Sequence, residues 1–280
     1  MNSKFDVIKL RSNNLEFKHF DASNLDLLMN NKLFAVAASA VIAIGAFSSV
    51  LQADVYFTEG FDYADGSLTT VSTDWTRHSG TEGQIQVSGG KITLTDSQSE
   101  DVNRLIGTTV TSGTVFAGFD FSVSAANPGG TDFEYFAHFG NGSSDFTARM
   151  DVNTADANGF LVGISHTSTA EASWGSTLDY DTVYRAIIGY DRDSGLANLW
   201  IDASLESDTS IVTTTSDDND VEGFYFRESN SSVNETTVVD DLIVGSTFAD
   251  VVTFSAVPEP SSLFILGMVG FAGLARRRRS

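Results

Sequence analysis

The chain has no cysteine, 3 prolines in 280 residues and few cations, 16 Lys and Arg against 37 Asp and Glu, for a formal net charge of -21. Without cysteine there are no disulfide staples, no thiol chemistry and no thiolate-bound zinc. The shortage of Lys and Arg argues against a nucleic-acid partner, because phosphate binding needs a basic surface that releases counterions. Histidine is scarce too: His78, His138 and His166 stand far apart, with no His-x-His or His-Glu-x-x-His spacing to build a zinc site. No Gly-x-Ser-x-Gly elbow and no Gly-rich phosphate loop is present, so neither a nucleophilic triad nor a nucleotide site is favoured. What the chain does have is apolar mass. At 41% hydrophobic with 21 Phe, it is too apolar for a disordered segment and long enough to bury one sizeable core.

Both ends carry address labels. From Met29, Met-Asn-Asn-Lys precedes an unbroken apolar run, Leu33 to Phe47, that ends in Ser-Ser-Val-Leu-Gln-Ala. A basic start, a 15-residue apolar segment and small residues predict a secretory signal peptide over 29–53, cleaved between Ala53 and Asp54. The run falls short of the roughly 20 residues that span a bilayer. Residues 1–28 carry nothing of an ordinary signal and read as a misassigned start or an extension. At the other end, Val257, Pro258, Glu259 and Pro260 lead through two serines into an apolar segment, Leu263 to Ala275, closed by Arg276, Arg277, Arg278 and Arg279. The arginines anchor on the cytoplasmic side, which places a short C-terminal membrane helix with its N-terminal end outside.

These last 24 residues, with the three parts in order, resemble the PEP-CTERM sorting signal of Gram-negative bacteria. The resemblance implies export and signal-peptidase cleavage, then anchoring in the inner membrane. An exosortase would next recognise Pro258-Glu259-Pro260 and remove or exchange the helix. The destination it implies is the cell surface or extracellular matrix, in company with exopolysaccharide.

Between the labels lie 7 basic and 32 acidic residues, a net charge of -25. Periodicity here is two. Val115, Ala117, Phe119, Phe121 and Val123 share one face, and Phe133, Tyr135, Ala137 and Phe139 repeat the alternation. Similar runs cover 160–164, 183–190, 196–201, 222–227 and 237–244, separated by turn formers such as Asn127-Pro-Gly-Gly130 and Asp193-Ser-Gly195. Many short strands and no amphipathic helix predict an all-β, antiparallel two-sheet sandwich over 54–256. The best-defined hairpin runs from Val183 to Ile201, with Gly195 at the position that needs positive φ. Its Tyr-Asp, turn and Trp200-bearing strand resemble the paired central strands of concanavalin-A-like (laminin-G-like) jelly rolls. Glu59-Gly-Phe-Asp-Tyr-Ala-Asp-Gly-Ser-Leu68 near the start and the stretch from Val239 to Val251 at the end resemble secreted bacterial proteins that couple this domain to a PEP tail. That resemblance implies a jelly roll and a carbohydrate-facing role.

Candidate chemistry is thin. The Glu-x-Asp-x-x-Glu strand of glycosidases that resemble this fold is missing. Its nearest substitute is Asp132-Phe-Glu-Tyr-Phe-Ala-His138, where strict alternation places Asp132, Glu134, Phe136 and His138 on one face, lining a concave groove. Asp62 with Asp65, Asp191 with Asp193, and Asp217, Asp218 with Asp220 put carboxylates in turns, the pattern for a Ca2+ shell, although Asp also favours turns for its own backbone bonds. Trp174, in Ala-Ser-Trp-Gly-Ser, reads as a loop residue able to stack on a sugar ring. The reading is therefore an exported, non-enzymatic structural or interaction protein associated with exopolysaccharide. A lectin-like module, with or without Ca2+, is the alternative, and a glycan hydrolase or lyase using Glu134 is the third possibility.

Overall fold

The computed structural model describes residues 5–11, 14–20, 54–125, 133–142, 145–229 and 235–253. The signal-peptide run, the C-terminal tail and Asp132 lie outside the described residues. The chain divides into two compact units, Met1–Gln52 and Ala53–Ser280. In the first, β1 (Phe5–Arg11) and β2 (Asn14–Phe20) pair antiparallel from Phe5↔Phe20 to Arg11↔Asn14, so the segment read as an extension contains a hairpin.

The second unit is all-β. Its first sheet comprises β5 (Thr76–Ser79), β8 (Asp101–Val110), β10 (Glu134–Gly140), β11 (Phe146–Asn153), β12 (Leu161–Ser165), β13 (Ala172–Ser173) and β17 (Val221–Arg227). Their order across the sheet is β13-β12-β11-β10-β17-β8-β5. A nine-stranded sheet holds β3 (Val55–Glu59), β4 (Gly66–Ser67), β6 (Gln86–Ser88), β7 (Lys91–Thr95), β9 (Thr114–Ala125), β14 (Tyr184–Asp191), β15 (Leu196–Ile201), β16 (Ile211–Val212) and β18 (Glu235–Gly245). The order is β16-β15-β14-β9-β18-β7-β6-β4, with β3 paired to the C-terminal half of β18. All pairings are antiparallel and strands consecutive in sequence often lie in different sheets, which makes this a jelly-roll sandwich.

The expected alternation places the core. Val115, Ala117, Phe119, Phe121 and Val123 of β9 all point inward and are buried, and Phe119 meets the rings of Phe136, Phe224 and Phe226 from the opposite sheet. Fully burying each such side chain stabilises the fold by about 1.5–3 kcal/mol. Phe116, on the other face of β9, packs with Ile187, Trp200, Ile243, Phe248 and Val251 in a second small cluster behind the nine-stranded sheet. That cluster lies beneath α2 (Phe248–Val251), which approaches so closely that a Cβ on Gly118 would meet the Val251 carbonyl oxygen at 2.2 Å. Trp200 is thereby a packing residue. The only other helix among the described residues is the single turn α1 (Leu68–Val71). The hairpin of β14 and β15 forms as expected, with Asp191 opposite Leu196 and Gly195 at φ +72°.

Candidate functional site

With one face of the nine-stranded sheet capped by Phe248 and Val251, the outer face of the seven-stranded sheet is where polar chemistry collects. Two β-bulges shape it. Between β10 and β11 the register runs Tyr135↔Asp151, Ala137↔Met150, Phe139↔Thr147, so β10 carries an extra residue at Phe136 and β11 an extra residue at Ala148. Ala148 takes φ +50°, a left-handed conformation unusual for alanine. The bulges correct the expected face. Glu134, Phe136 and His138 do not line up: Phe136 and Ala137 both enter the core, while Tyr135 and His138 share the outer face with their rings 5.5 Å apart.

Around them, across adjacent strands, stand His78, Asp101, Tyr225, Arg227, Phe146, Arg149 and Asp151. Register places Tyr225 opposite His138, Arg227 opposite Asp101, and Asp151 opposite Tyr135. His138 stacks on Tyr225 at 4.9 Å and 12°, with Phe146 4.6 Å away. Both guanidinium groups lie over Tyr135, Arg227 at 4.2 Å and Arg149 at 4.6 Å. His138, Tyr225 and Asp151 are buried, whereas His78, Tyr135, Phe146, Arg149 and Arg227 are half-buried.

The electrostatics are unusual for an acidic domain. Burial drives the His138 imidazole down to about 3, so it is neutral. Its Nδ1 donates to the Phe139 carbonyl at 3.0 Å, leaving Nε2 as the unprotonated acceptor. Burial pushes the Asp151 carboxyl up to about 7 despite a 3.0 Å hydrogen bond from Ser165 and the nearby charge of Arg149. Asp101 is likewise raised by burial, although Ser79 donates to it. Among the described residues, the buried side-chain polar atoms without a hydrogen-bond partner are Asp101 Oδ1, Arg149 Nε and Asp151 Oδ1. All three belong to this one face. An unpartnered buried polar group costs roughly 1–3 kcal/mol, so this face is where the described residues concentrate that cost.

The other expected residues are placed as follows. Glu134 lies at the rim, 3.8 Å from Arg227, beside a small cavity of about 20 Å3, enough for one water, lined also by Asp96, Glu228 and Glu235. Trp174 packs half-buried against the main core, because β13 joins the sheet edge there, so it is not the free loop residue expected. Asp54 begins the sandwich, its amide donating to Ser246 at 2.9 Å.

The acidic turns use their carboxylates locally: Asp65 accepts from Gly89, Asp191 from Asp193 and Ser194, Asp217 from Asn219, and Asp220 from Arg192. The Asp191 and Asp217 turns do meet, through a backbone bond from Asp217 to Gly195. Among the described residues, no three carboxylate or histidine groups converge as metal ligands. Strict period-two reading missed Tyr135, Arg149, Asp151, Tyr225 and Arg227. The signal available was their chemistry, two of the domain's seven basic residues, on β11 and β17, beside the tyrosines.

Residues 256–279 match the PEP-CTERM protein-sorting motif, which covers the C-terminal label. Similar solved structures include lectin II from Ulex europaeus, 15% identical over 69% of this chain and 100% of that one, with a TM-score of 0.44. The basic winged bean lectin with Tn-antigen is 14% identical over 68% and 97%, at 0.45. A sialidase is 11% identical over 68% of this chain but 19% of its own length, also at 0.45. The curated proteins include no match. The chain is thus a jelly-roll sandwich that carries a PEP-CTERM sorting motif.

Proposed function

We propose that this is an exported, non-catalytic protein of the bacterial cell surface or extracellular matrix, and that its sandwich binds polysaccharide on the outer face of the seven-stranded sheet. The observation that carries the binding is the gathering of half-buried Tyr135, Phe146, Arg149 and Arg227 on one face, with both guanidinium groups over the Tyr135 ring. Sugars present alternating hydroxyls and apolar ring faces, which such a mixture of open polar atoms and aromatic edges complements. The sorting motif supplies the address, with exosortase as the processing partner and the membrane as a waystation.

Two experiments test the two halves. The full chain is titrated against a panel of polysaccharides with EDTA and with calcium; saturable binding that Asp151→Asn weakens supports the reading, and no binding to any glycan refutes it. Replacing Pro258 and Glu259 by alanine should leave an unprocessed, membrane-held form, and unchanged processing would overturn the sorting half. Release of reducing ends from a bound polysaccharide would overturn the non-catalytic reading.

A further inference from the structure

We propose that the glycan this face takes is acidic, a polysaccharide whose sugar units carry a carboxylate, held between the guanidinium groups of Arg149 and Arg227. The inference rests on the glycan-binding reading above and narrows it. Its basis is how the domain spends its few cations. Of the seven, Arg77 is exposed and donates to the Gly80 carbonyl at 2.9 Å, while Lys91, Arg104, Arg185 and Arg192 each have a carboxylate oxygen at 2.7–2.9 Å. In a span with a net charge of -25 that is the expected fate of a basic side chain. Arg149 has no carboxylate in ion-pairing range among the described residues, and Arg227 has only Glu134, at 3.8 Å. Their remaining hydrogen bonds, to the carbonyls of Phe146, Tyr135 and Ser229, are all 3.4 Å long. Two under-used guanidinium groups therefore share one tyrosine ring in a domain full of acids.

Stacking on Tyr135 orients both planes while leaving in-plane N–H donors open, the fork that a carboxylate accepts bidentately. The Arg149 Nε also lacks a partner, but it is buried, so the donors a ligand meets are those at the ends of the two guanidinium groups. The strands are consecutive in the order β11-β10-β17, so Arg149 on β11 and Arg227 on β17 reach the Tyr135 ring on β10 from its two sides. Two guanidinium groups over one aromatic ring match a sugar whose carboxylate accepts a fork and whose ring face stacks. A neutral glycan offers them only single hydroxyl acceptors. The uncharged tendency of Asp151, whose carboxyl sits at about 7, also lowers the repulsion an incoming anion meets.

The test is calorimetric titration of the full chain with oligosaccharides of galacturonate, glucuronate and mannuronate, each beside its carboxyl-reduced form, and with a sulfated glucan. At least one uronate series should bind about tenfold or more tightly than its reduced form and than the sulfated glucan. Arg227→Lys, at the rim where the side chain is 21% exposed, keeps the charge and loses the fork. It should weaken uronate binding about tenfold with an unchanged melting temperature, and Arg149→Gln should weaken it further. Because Arg149 is deeper and its replacement is the more exposed to misfolding, the Arg227→Lys result decides by itself. Equal affinity for uronate and reduced forms, preference for sulfate, or an unaffected Arg227→Lys protein overturns the acidic-sugar inference while glycan binding stands. Silence in every arm overturns both.

Discussion

Two buried polar clusters in this sandwich are finished differently. At the start of the domain, Glu59 is 4% exposed and accepts from the Phe61 amide, the Tyr63 hydroxyl, the Trp75 indole and Arg104, all within 2.9 Å. Arg104 in turn lies over Phe57 and reaches Asp74 at 3.1 Å. Every charge in that cluster is answered from within the chain. On the outer face of the seven-stranded sheet, Arg149, Asp151 and Asp101 have the same composition, a guanidinium, carboxylates and aromatic rings, yet each leaves a buried atom unanswered. A closed network is what a fold uses to hold itself together. An open one of the same chemistry weakens the fold, which is the cost the proposed binding face carries.

The contrast predicts opposite consequences for mutation. Glu59→Ala should be the most damaging change, because it leaves the half-buried Arg104 guanidinium with Asp74 alone and takes the acceptor from three further donors. We expect a loss of about 3–5 kcal/mol in urea unfolding, with glycan affinity unchanged in whatever protein remains folded. Asp151→Asn should act in the other direction. Its carboxyl is fully buried, is pushed up to about 7 and keeps one oxygen unpaired, so at pH 8 the neutral amide should stabilise the protein by about 1–2 kcal/mol while binding weakens. A stabilised protein that binds worse is the signature of a site. If Asp151→Asn destabilised the fold as Glu59→Ala does, the two clusters would be of one kind and the comparison would fail.

The sequence made the closed half of the molecule more legible than the open half. The β9 core face, the β14–β15 hairpin and the turn at Gly195 follow from alternation and turn chemistry, which are local properties. The site is not local. Its residues come from β5, β8, β10, β11 and β17, neighbours in the sheet but separated by up to about 150 positions in the chain. Its phase is also reset at Phe136 and Ala148 by bulges that no period-two pattern announces. Reading through the first bulge is what put Glu134 and Phe136 beside His138 and hid Tyr135.

Acidity should sharpen the difference between the open face and the rest at a smaller scale. Burial raises the carboxyls of Asp151, Glu228 and Glu235 to about 7, so between pH 8 and about 5 each takes up a proton in the folded protein that the unfolded chain does not bind. Stability contributed this way is present at low pH and lost as the pH rises through 7. His138 and His166, lowered by burial, do the reverse: below about 6.5 the unfolded chain protonates them and the folded one resists. Three groups outweigh two, so the melting temperature should climb from pH 8 toward pH 5 and fall again once the unfolded carboxylates protonate. Glu235→Gln, which keeps an acceptor for the Thr154 hydroxyl, should flatten the climb. A melting temperature that falls steadily from pH 8 to 5 would contradict this balance.

The smallest effect is expected at the acidic turns, a third way of finishing a carboxylate. Asp191 and Asp217 are half-buried, and their oxygens already accept from the Asp193 and Asn219 amides, two residues on, as Asp commonly does in turns. Asp220 is held by Arg192 at 2.9 Å. To coordinate calcium, these groups would have to gather several more oxygens into one shell, and the two turns are joined through backbone. Adding millimolar calcium or EDTA should therefore leave both the melting temperature and the glycan affinity where they were. A calcium-dependent rise in either would mean that these turns, and not the Arg149–Asp151 face, are the incomplete part of the molecule.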